Sequence, residues 1–251
     1  MSKKSNVKIN NKSKKSKINE QIQILTKENK KYQTKIKILL TLIILLTIIL
    51  IFFIYYFNKE SQKKCIKKIQ DKNIVFVGDS LTYMYNLEKY YKGYKVVNSG
   101  VDGDFTWGVL NDLENRVYKY NPSKVILLIG TNDIYKEKTA TDIANNVEKI
   151  IKNIKKNRAY CEIYLVSLYP INRTDNEKIN LNMVKNRTNK FIKVVNKKYK
   201  AISKKYKINY INIFDKLTDN DGNLDIKYTR EGLHLVDKGY EKVTKEIKKV
   251  L

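Results

Sequence analysis

The sequence predicts an α/β domain of three layers, helices on both faces of a five-stranded parallel sheet, preceded by a single transmembrane helix. Three observations predict it. Residues 38–57 form a run of twenty without a single charge in an otherwise Lys-rich chain. All nine Gly and both Pro lie beyond residue 77, which assigns every strong turn signal to the second part of the chain. In that part, short runs rich in β-branched residues alternate with longer segments at helical spacing, the pattern of a parallel sheet covered on both sides.

The elements follow in order. Residues 1–17 are mostly Lys, Ser and Asn and are expected to form a disordered, cytoplasmic arm suited to anionic lipid. Residues 18–39 place Ile18, Ile22, Leu25, Asn29, Tyr32, Ile36 and Leu39 at spacings of four and three. This heptad-like stripe suits either a homodimer, with Asn29 at an a-type position, or an amphipathic juxtamembrane helix without a partner. No Gly or Pro precedes Gly78, so one helix is expected to continue from about Ile18 through the apolar run. Twenty residues at 1.5 Å rise span about 30 Å, the thickness of a bilayer core. A cleaved signal peptide fits less well, because its apolar region is shorter and no small-x-small site follows Phe57. The flanks hold five Lys before the run and six after it, so the positive-inside rule does not decide locally. The twelve Lys of the whole N-terminal tail favour an inside N-terminus and an outside C-terminal domain. Residues 58–72 read as a basic juxtamembrane linker.

Residues 73–251 provide enough chain for one domain with a buried core. Strands are predicted at 74–77, 96–97, 125–129, 163–166 and 210–213, with helices over 106–120, 141–156, 189–205 and 238–250. The composition narrows the chemistry. The chain has 51 Lys and Arg against 25 Asp and Glu, a formal net charge of +26, yet 42% of it is hydrophobic, which excludes a disordered chain. Twelve Lys and two Glu give residues 1–58 a charge of +10, and the remainder carries +16. One histidine excludes a multi-histidine metal site, and two cysteines exclude a zinc module or a disulfide-dense fold. Cys65 and Cys161 are both expected at the amino-terminal end of the sheet, where an oxidising exterior would allow them to pair.

Parallel sheets place their chemistry at the carboxyl ends of strands. The first predicted strand ends in Gly78-Asp79-Ser80, a strand-to-helix turn that presents Ser80 at a helix start, although Asp79-Ser80 also reads as a plain helix cap. Asn98-Ser99-Gly100-Val101-Asp102-Gly103-Asp104 follows the second strand, and Gly130-Thr131-Asn132-Asp133 closes the third. Neither contains G-x-G-x-x-G, and no Gly-Lys-Ser/Thr occurs, so the dinucleotide and P-loop readings lose their support. Near the C-terminus, Glu231-Gly232-Leu233-His234 sets an acid three residues before the lone histidine.

These four blocks, in this order over residues 73–251, resemble the SGNH hydrolases, also called the GDSL esterase and lipase family, of flavodoxin-like fold. The resemblance implies Ser80 as nucleophile and His234 as general base. It implies an oxyanion hole built from the Ser80 and Gly103 N–H groups and the Asn132 side chain, with Gly100 as the alternative glycine. The family pattern has Asp where this chain has Glu231, whose carboxylate is expected to orient the imidazole across one extra methylene. No metal or organic cofactor is implied. The domain has no apolar insertion of lid length, which points to short acyl groups, O-acetyl on cell-surface carbohydrate in particular. Asp79 and Trp107 are expected to contribute to substrate binding. The positive charge would favour anionic polymer but also fits an AT-rich coding composition, and no nucleic-acid motif accompanies it. A bacterial membrane-anchored esterase is the leading expectation. The alternatives are an O-acyltransferase with the same site, a lysophospholipase or thioesterase, and a non-catalytic envelope scaffold that binds glycan.

Overall fold

The computed structural model describes residues 3–70 and 73–251, with side-chain surroundings described for 19–61 and 73–251. The chain divides into two compact units, Met1–Cys65 and Ile66–Leu251. The first is built on helix α1, Lys3–Gln70. It begins at Lys3, in a Lys-rich segment without Gly or Pro. Among the described residues α1 is the one helix long and apolar enough to cross a membrane, with an 18-residue stretch of mean hydropathy 3.2. Both threonines of the uncharged run are satisfied internally: Thr41 Oγ1 donates to Lys37 O at 2.8 Å and Thr47 Oγ1 to Ile44 O at 2.7 Å. The side chain of Cys65, and with it the expected pairing to Cys161, lies outside the described residues.

The second unit is the predicted α/β sandwich. Strands β1 (Ile74–Gly78), β2 (Val96–Gly100), β3 (Lys124–Leu128), β4 (Glu162–Val166) and β5 (Asn209–Ile211) form one sheet in the order β2-β1-β3-β4-β5, every pair parallel. β1 and β3 are buried almost throughout, which is why they read as unbroken apolar runs. β2 runs three residues beyond its predicted end, because the polar Asn98-Ser99-Gly100 still pairs with Phe76-Val77-Gly78 on this edge of the sheet. β5 stops two residues early. The Ser167 hydroxyl accepts from the Ile213 and Phe214 N–H groups at 2.9 Å each, turning the chain away from the ladder.

β1 crosses to β2 in one direction, while the remaining crossovers run in the other. Right-handed connections therefore put the first helices on one face and the later ones on the opposite face. Helices α2 (Ser80–Tyr83) and α3 (Leu87–Tyr90) follow β1. The predicted helix over 106–120 is broken into α4 (Thr106–Asn111), α5 (Leu113–Arg116) and a 3-10 turn, Tyr118–Tyr120. The break at Asp112 brings Arg116 beneath the strand ends, where its guanidinium donates to Gly78 O at 2.8 Å and Ser99 O at 2.7 Å. The short α6 (Thr131–Tyr135) precedes α7 (Ala140–Asn157). A reciprocal Thr139–Asp142 cap starts α7, which buries Ile143, Val147, Ile150 and Ile154 as one stripe.

After β4, a 22-residue connection containing α8 (Leu181–Val184) leads to α9 (Asn189–Tyr206), which neighbours α7 and buries Ile192, Val195, Tyr199 and Ile202. α10 (Phe214–Leu217) and α11 (Asp237–Lys248) complete the unit. On the α2 face, Tyr240 of α11 stacks on Tyr85 with ring centroids 4.7 Å apart, and Phe76 and Tyr91 extend this aromatic layer down to the sheet.

Candidate active site

The order of the sheet reverses between β1 and β3, and the site lies where their carboxyl ends diverge. Gly78 permits the turn that leaves β1. A Cβ there would stand 2.2 Å from Thr82 Oγ1 and 2.3 Å from Leu128 O, so any side chain would push α2 off the sheet. Asp79 caps α2 by accepting from the Leu81 N–H at 3.0 Å. Ser80 is the first residue of that helix.

The Ser80 hydroxyl lies 3.0 Å from Nε2 of His234. Nδ1 of His234 is 2.6 Å from Glu231 Oε1, and the same carboxylate oxygen accepts the His234 backbone N–H at 2.8 Å. Burial alone would raise the Glu231 pKa, but the hydrogen bonds from the His234 ring and backbone outweigh it and hold the carboxyl below its ordinary range. The tautomer follows: Nδ1 carries the proton toward the carboxylate, and Nε2 is left as acceptor for the serine hydroxyl.

The loop carrying this pair is held at both ends. Thr229 Oγ1 donates to His234 O and accepts from the Gly232 N–H, each at 2.8 Å, and Thr229 bridges Leu235 as a one-residue antiparallel pair. Gly232 sits at φ +101, and a Cβ on it would lie 2.6 Å from Asn172 O. Asn172 N–H donates to Gly232 O at 2.8 Å, tying the loop to the β4–α9 connection.

Facing the serine, Asn132 in the first turn of α6 directs its amide nitrogen to Asp104 O at 3.0 Å. One amide hydrogen is used there, and an Nδ2 has two. Gly103, at φ +71, borders the same cleft with open space where a Cβ would be. Gly100 does not: its N–H is taken by Asn98 Oδ1 at 2.9 Å, and its α-carbon packs against the backbone of Thr82 and Tyr83. The loop carrying Gly103 is anchored by the buried Asp104–Arg116 ion pair and by Asp133, which accepts from Thr106 N–H at 3.0 Å and from its hydroxyl at 2.5 Å.

Ser80, Gly103, Asn132 and His234 converge on a cleft of about 220 Å³. Phe105, Tyr135, Met183 and Leu233 form its walls, with Lys185 over the Tyr135 ring at 3.5 Å from the centroid. A wider depression of about 500 Å³ is lined by Met84, Tyr90, Arg230 and Tyr240 and contains neither the serine nor the imidazole.

Two residues expected at the substrate stand elsewhere. Asp79 is 1% exposed and points into the base of α2, with burial pushing its pKa up to about 7 against the pull of the Leu81 N–H and the charges of Arg187 and His234. Trp107 is not part of the cleft lining. It is 50% exposed and stacks on Phe105, which does line it, with the rings 5.4 Å apart and nearly parallel. Sequence reasoning missed Met183, Lys185 and Arg187, in the β4–α9 connection, a stretch without periodicity or a motif, and Phe105 and Tyr135, which follow the Asp104 and Asp133 block ends by one and two residues. Leu233 and Asp133 stand inside the blocks, where no role was assigned to them.

Fold and geometry together define an α/β acylhydrolase: a serine against an imidazole backed by a carboxylate, with amide donors opposite, can carry an acyl group through a covalent ester. The comparisons agree. The model of the GDSL-like lipase/acylhydrolase family matches residues 76–242. Platelet-activating factor acetylhydrolase IB subunit alpha2 of Rattus norvegicus is 26% identical over 189 residues, covering 73% of this chain and 78% of the relative. A Streptococcus pneumonia protein named after platelet activating factor superimposes with a TM-score of 0.67 at 30% identity, over 77% of this chain and 98% of its own. A GDSL-like lipase of Bacteroides thetaiotaomicron shares the fold, with a TM-score of 0.62 at 22% identity over 71% and 87% of the two chains. The chain belongs to the GDSL-like lipase/acylhydrolase family, whose members hydrolyse esters.

Proposed function

We propose that this protein is a membrane-anchored serine esterase that removes short acyl groups, O-acetyl foremost, from cell-surface carbohydrate. The observation that carries the reading is the continuous relay from Ser80 Oγ through the His234 ring to Glu231, at 3.0 and 2.6 Å. Ser80 attacks the ester carbonyl while His234 Nε2 takes its proton, and Glu231 stabilises the resulting imidazolium. The oxyanion of the tetrahedral intermediate is received by the Asn132 amide and the Gly103 and Ser80 N–H groups. Collapse returns the proton from His234 to the departing alcohol and leaves Ser80 acylated. Water, deprotonated by the same imidazole, then releases the acid.

The size of the cleft, about 220 Å³, and relatives named as acetylhydrolases support a short acyl group. The half-exposed Trp107 stacked beside the cleft offers an aromatic face of the kind on which sugar rings settle. The length and apolarity of α1 support the anchor, and the twelve Lys before the apolar run support a cytoplasmic N-terminus with the hydrolase domain outside. Turnover of p-nitrophenyl esters of increasing chain length by the full chain in detergent tests the reading. Acetate should be the preferred acyl group and Ser80→Ala should abolish turnover. A wild type whose turnover survives Ser80→Ala overturns the serine mechanism, and preference for long chains overturns the short-acyl assignment.

A further inference from the structure

Arg187 precedes the N-cap of α9 and is 2% exposed. It borders the cleft, and four of its five N–H groups are taken, all by uncharged oxygens. Nε donates to Thr131 O at 2.9 Å and Thr131 Oγ1 at 3.2 Å, Nη1 to Met183 O at 3.2 Å and Val184 O at 3.1 Å, and Nη2 to Asn132 Oδ1 at 2.8 Å. Among the described residues no carboxylate stands within ion-pair distance of it. Asp79 acts on it only from beyond that distance, and a buried cation that no carboxylate touches is costly to maintain.

Its neighbour explains the placement. An asparagine side chain can present either its oxygen or its nitrogen to a cleft, and the two ends have nearly the same shape. A guanidinium is donor-only, so the end 2.8 Å from Nη2 must be the oxygen. The opposite end meets Asp104 O, which is acceptor-only, at 3.0 Å and must be the nitrogen. The amide is thereby keyed from both sides with its second N–H left for the cleft. The same contact draws electron density toward Oδ1 and strengthens that N–H as a donor, as chains of hydrogen bonds polarise one another. A negative charge forms one amide away from Arg187 when an ester carbonyl becomes an oxyanion.

We propose that Arg187 is the positioning residue of the oxyanion hole, acting through Asn132 to fix and polarise the N–H that meets the tetrahedral intermediate. This rests on the esterase reading above. The test is a double-mutant cycle on the full chain in detergent, with kcat and KM for p-nitrophenyl acetate measured separately for Arg187→Met, Arg187→Lys, Asn132→Ala and the two double variants. In the wild-type background Arg187→Met should lower kcat by about 10²-fold, the scale of losing one oxyanion donor, with KM changed by less than about threefold. Arg187→Lys, which keeps the charge, should recover part of that loss. In the Asn132→Ala background either substitution should cost less than about threefold, because the group it acts through is gone. Should Arg187→Met show no cooperative melting transition, the Arg187→Lys cycle decides by the same criterion. Equal fold-losses with and without Asn132, or unchanged kcat in both Arg187 variants, would overturn the proposal. Turnover that survives Ser80→Ala would instead remove the esterase reading, and the role of the arginine with it.

Discussion

Glu231 shows how one residue departs from a family pattern and still completes it. The loop turns at Gly232 so that the longer side chain reaches back to both the ring and the backbone nitrogen of His234. Shortening it should therefore harm the site. Glu231→Asp withdraws the carboxylate by about one bond length and should lower kcat roughly 10- to 100-fold. Glu231→Gln, which keeps the length but not the charge, should lower it by about 10³–10⁴-fold. A Glu231→Asp enzyme faster than wild type would refute this account of the loop. Asp79 gives a second prediction at the same scale, read in stability. Its folded pKa of about 7 lies above the ordinary 3.8, so between those values the folded chain keeps a proton that the unfolded chain has lost. The stability this contributes is full below pH 3.8 and is lost as pH rises to about 7. Asp79→Asn keeps the helix cap and has no such titration, so its melting temperature should gain on wild type as pH rises from 4 to 7. A difference that stays constant over that range would show that Asp79 is not held protonated. Arg187 marks where legibility ended at this scale: Ser80, Asn132, Glu231 and His234 sit in recognisable blocks, whereas the arginine behind Asn132 sits in none.

The elements were legible where one face or both faces are buried. β1 and β3 declare themselves by unbroken apolar runs, and α7, α9 and α11 by stripes of buried residues at helical spacing. Legibility failed where hydrogen bonding, rather than burial, sets the backbone. Asn98, Ser99 and Gly100 are polar or small and still belong to β2, because edge pairing requires no apolar side chain. The break after α4 is set by Arg116, whose partners lie on β1 and β2, far away in sequence. Gly100 joins these observations in a prediction about element packing. A Cβ there would meet Tyr83 N at 2.2 Å and Thr82 C at 2.6 Å, backbone that cannot step aside without carrying α2 and Ser80 with it. Gly100→Ala should cost about 3 kcal/mol or more by urea denaturation. Gly103→Ala has the space and suffers only from its positive φ, at about 1 kcal/mol. The opposite ranking of the two midpoints would show that α2 does not rest on β2 as described.

At the scale of the whole molecule, residues 19–61 expose their side chains along a continuous helix, while residues 73–251 bury a full α/β core. Water is an unfavourable surrounding for the first and a suitable one for the second. Replacing Leu45 and Leu46 with Arg should add about 2.5–3.5 kcal/mol each to the transfer of that helix into a bilayer. Carbonate-washed membranes should retain the wild-type chain and release much of the double variant, and equal retention would remove the anchor from the reading. The alternation of strands and helices and the uncharged run made both units legible, because each depends on composition over tens of residues and not on single contacts. The 154 residues that separate Ser80 from His234 carry a further consequence, in time rather than in space. During synthesis the serine is made long before its proton acceptor, and the carboxylate that steers the imidazole arrives only three residues ahead of it. Throughout the interval in which β2, β3, β4 and β5 are added, the growing chain holds Ser80 without its imidazole. In the proposed mechanism the relay is completed only when the Glu231–His234 loop is made, so a chain interrupted before that loop would carry the serine without its base.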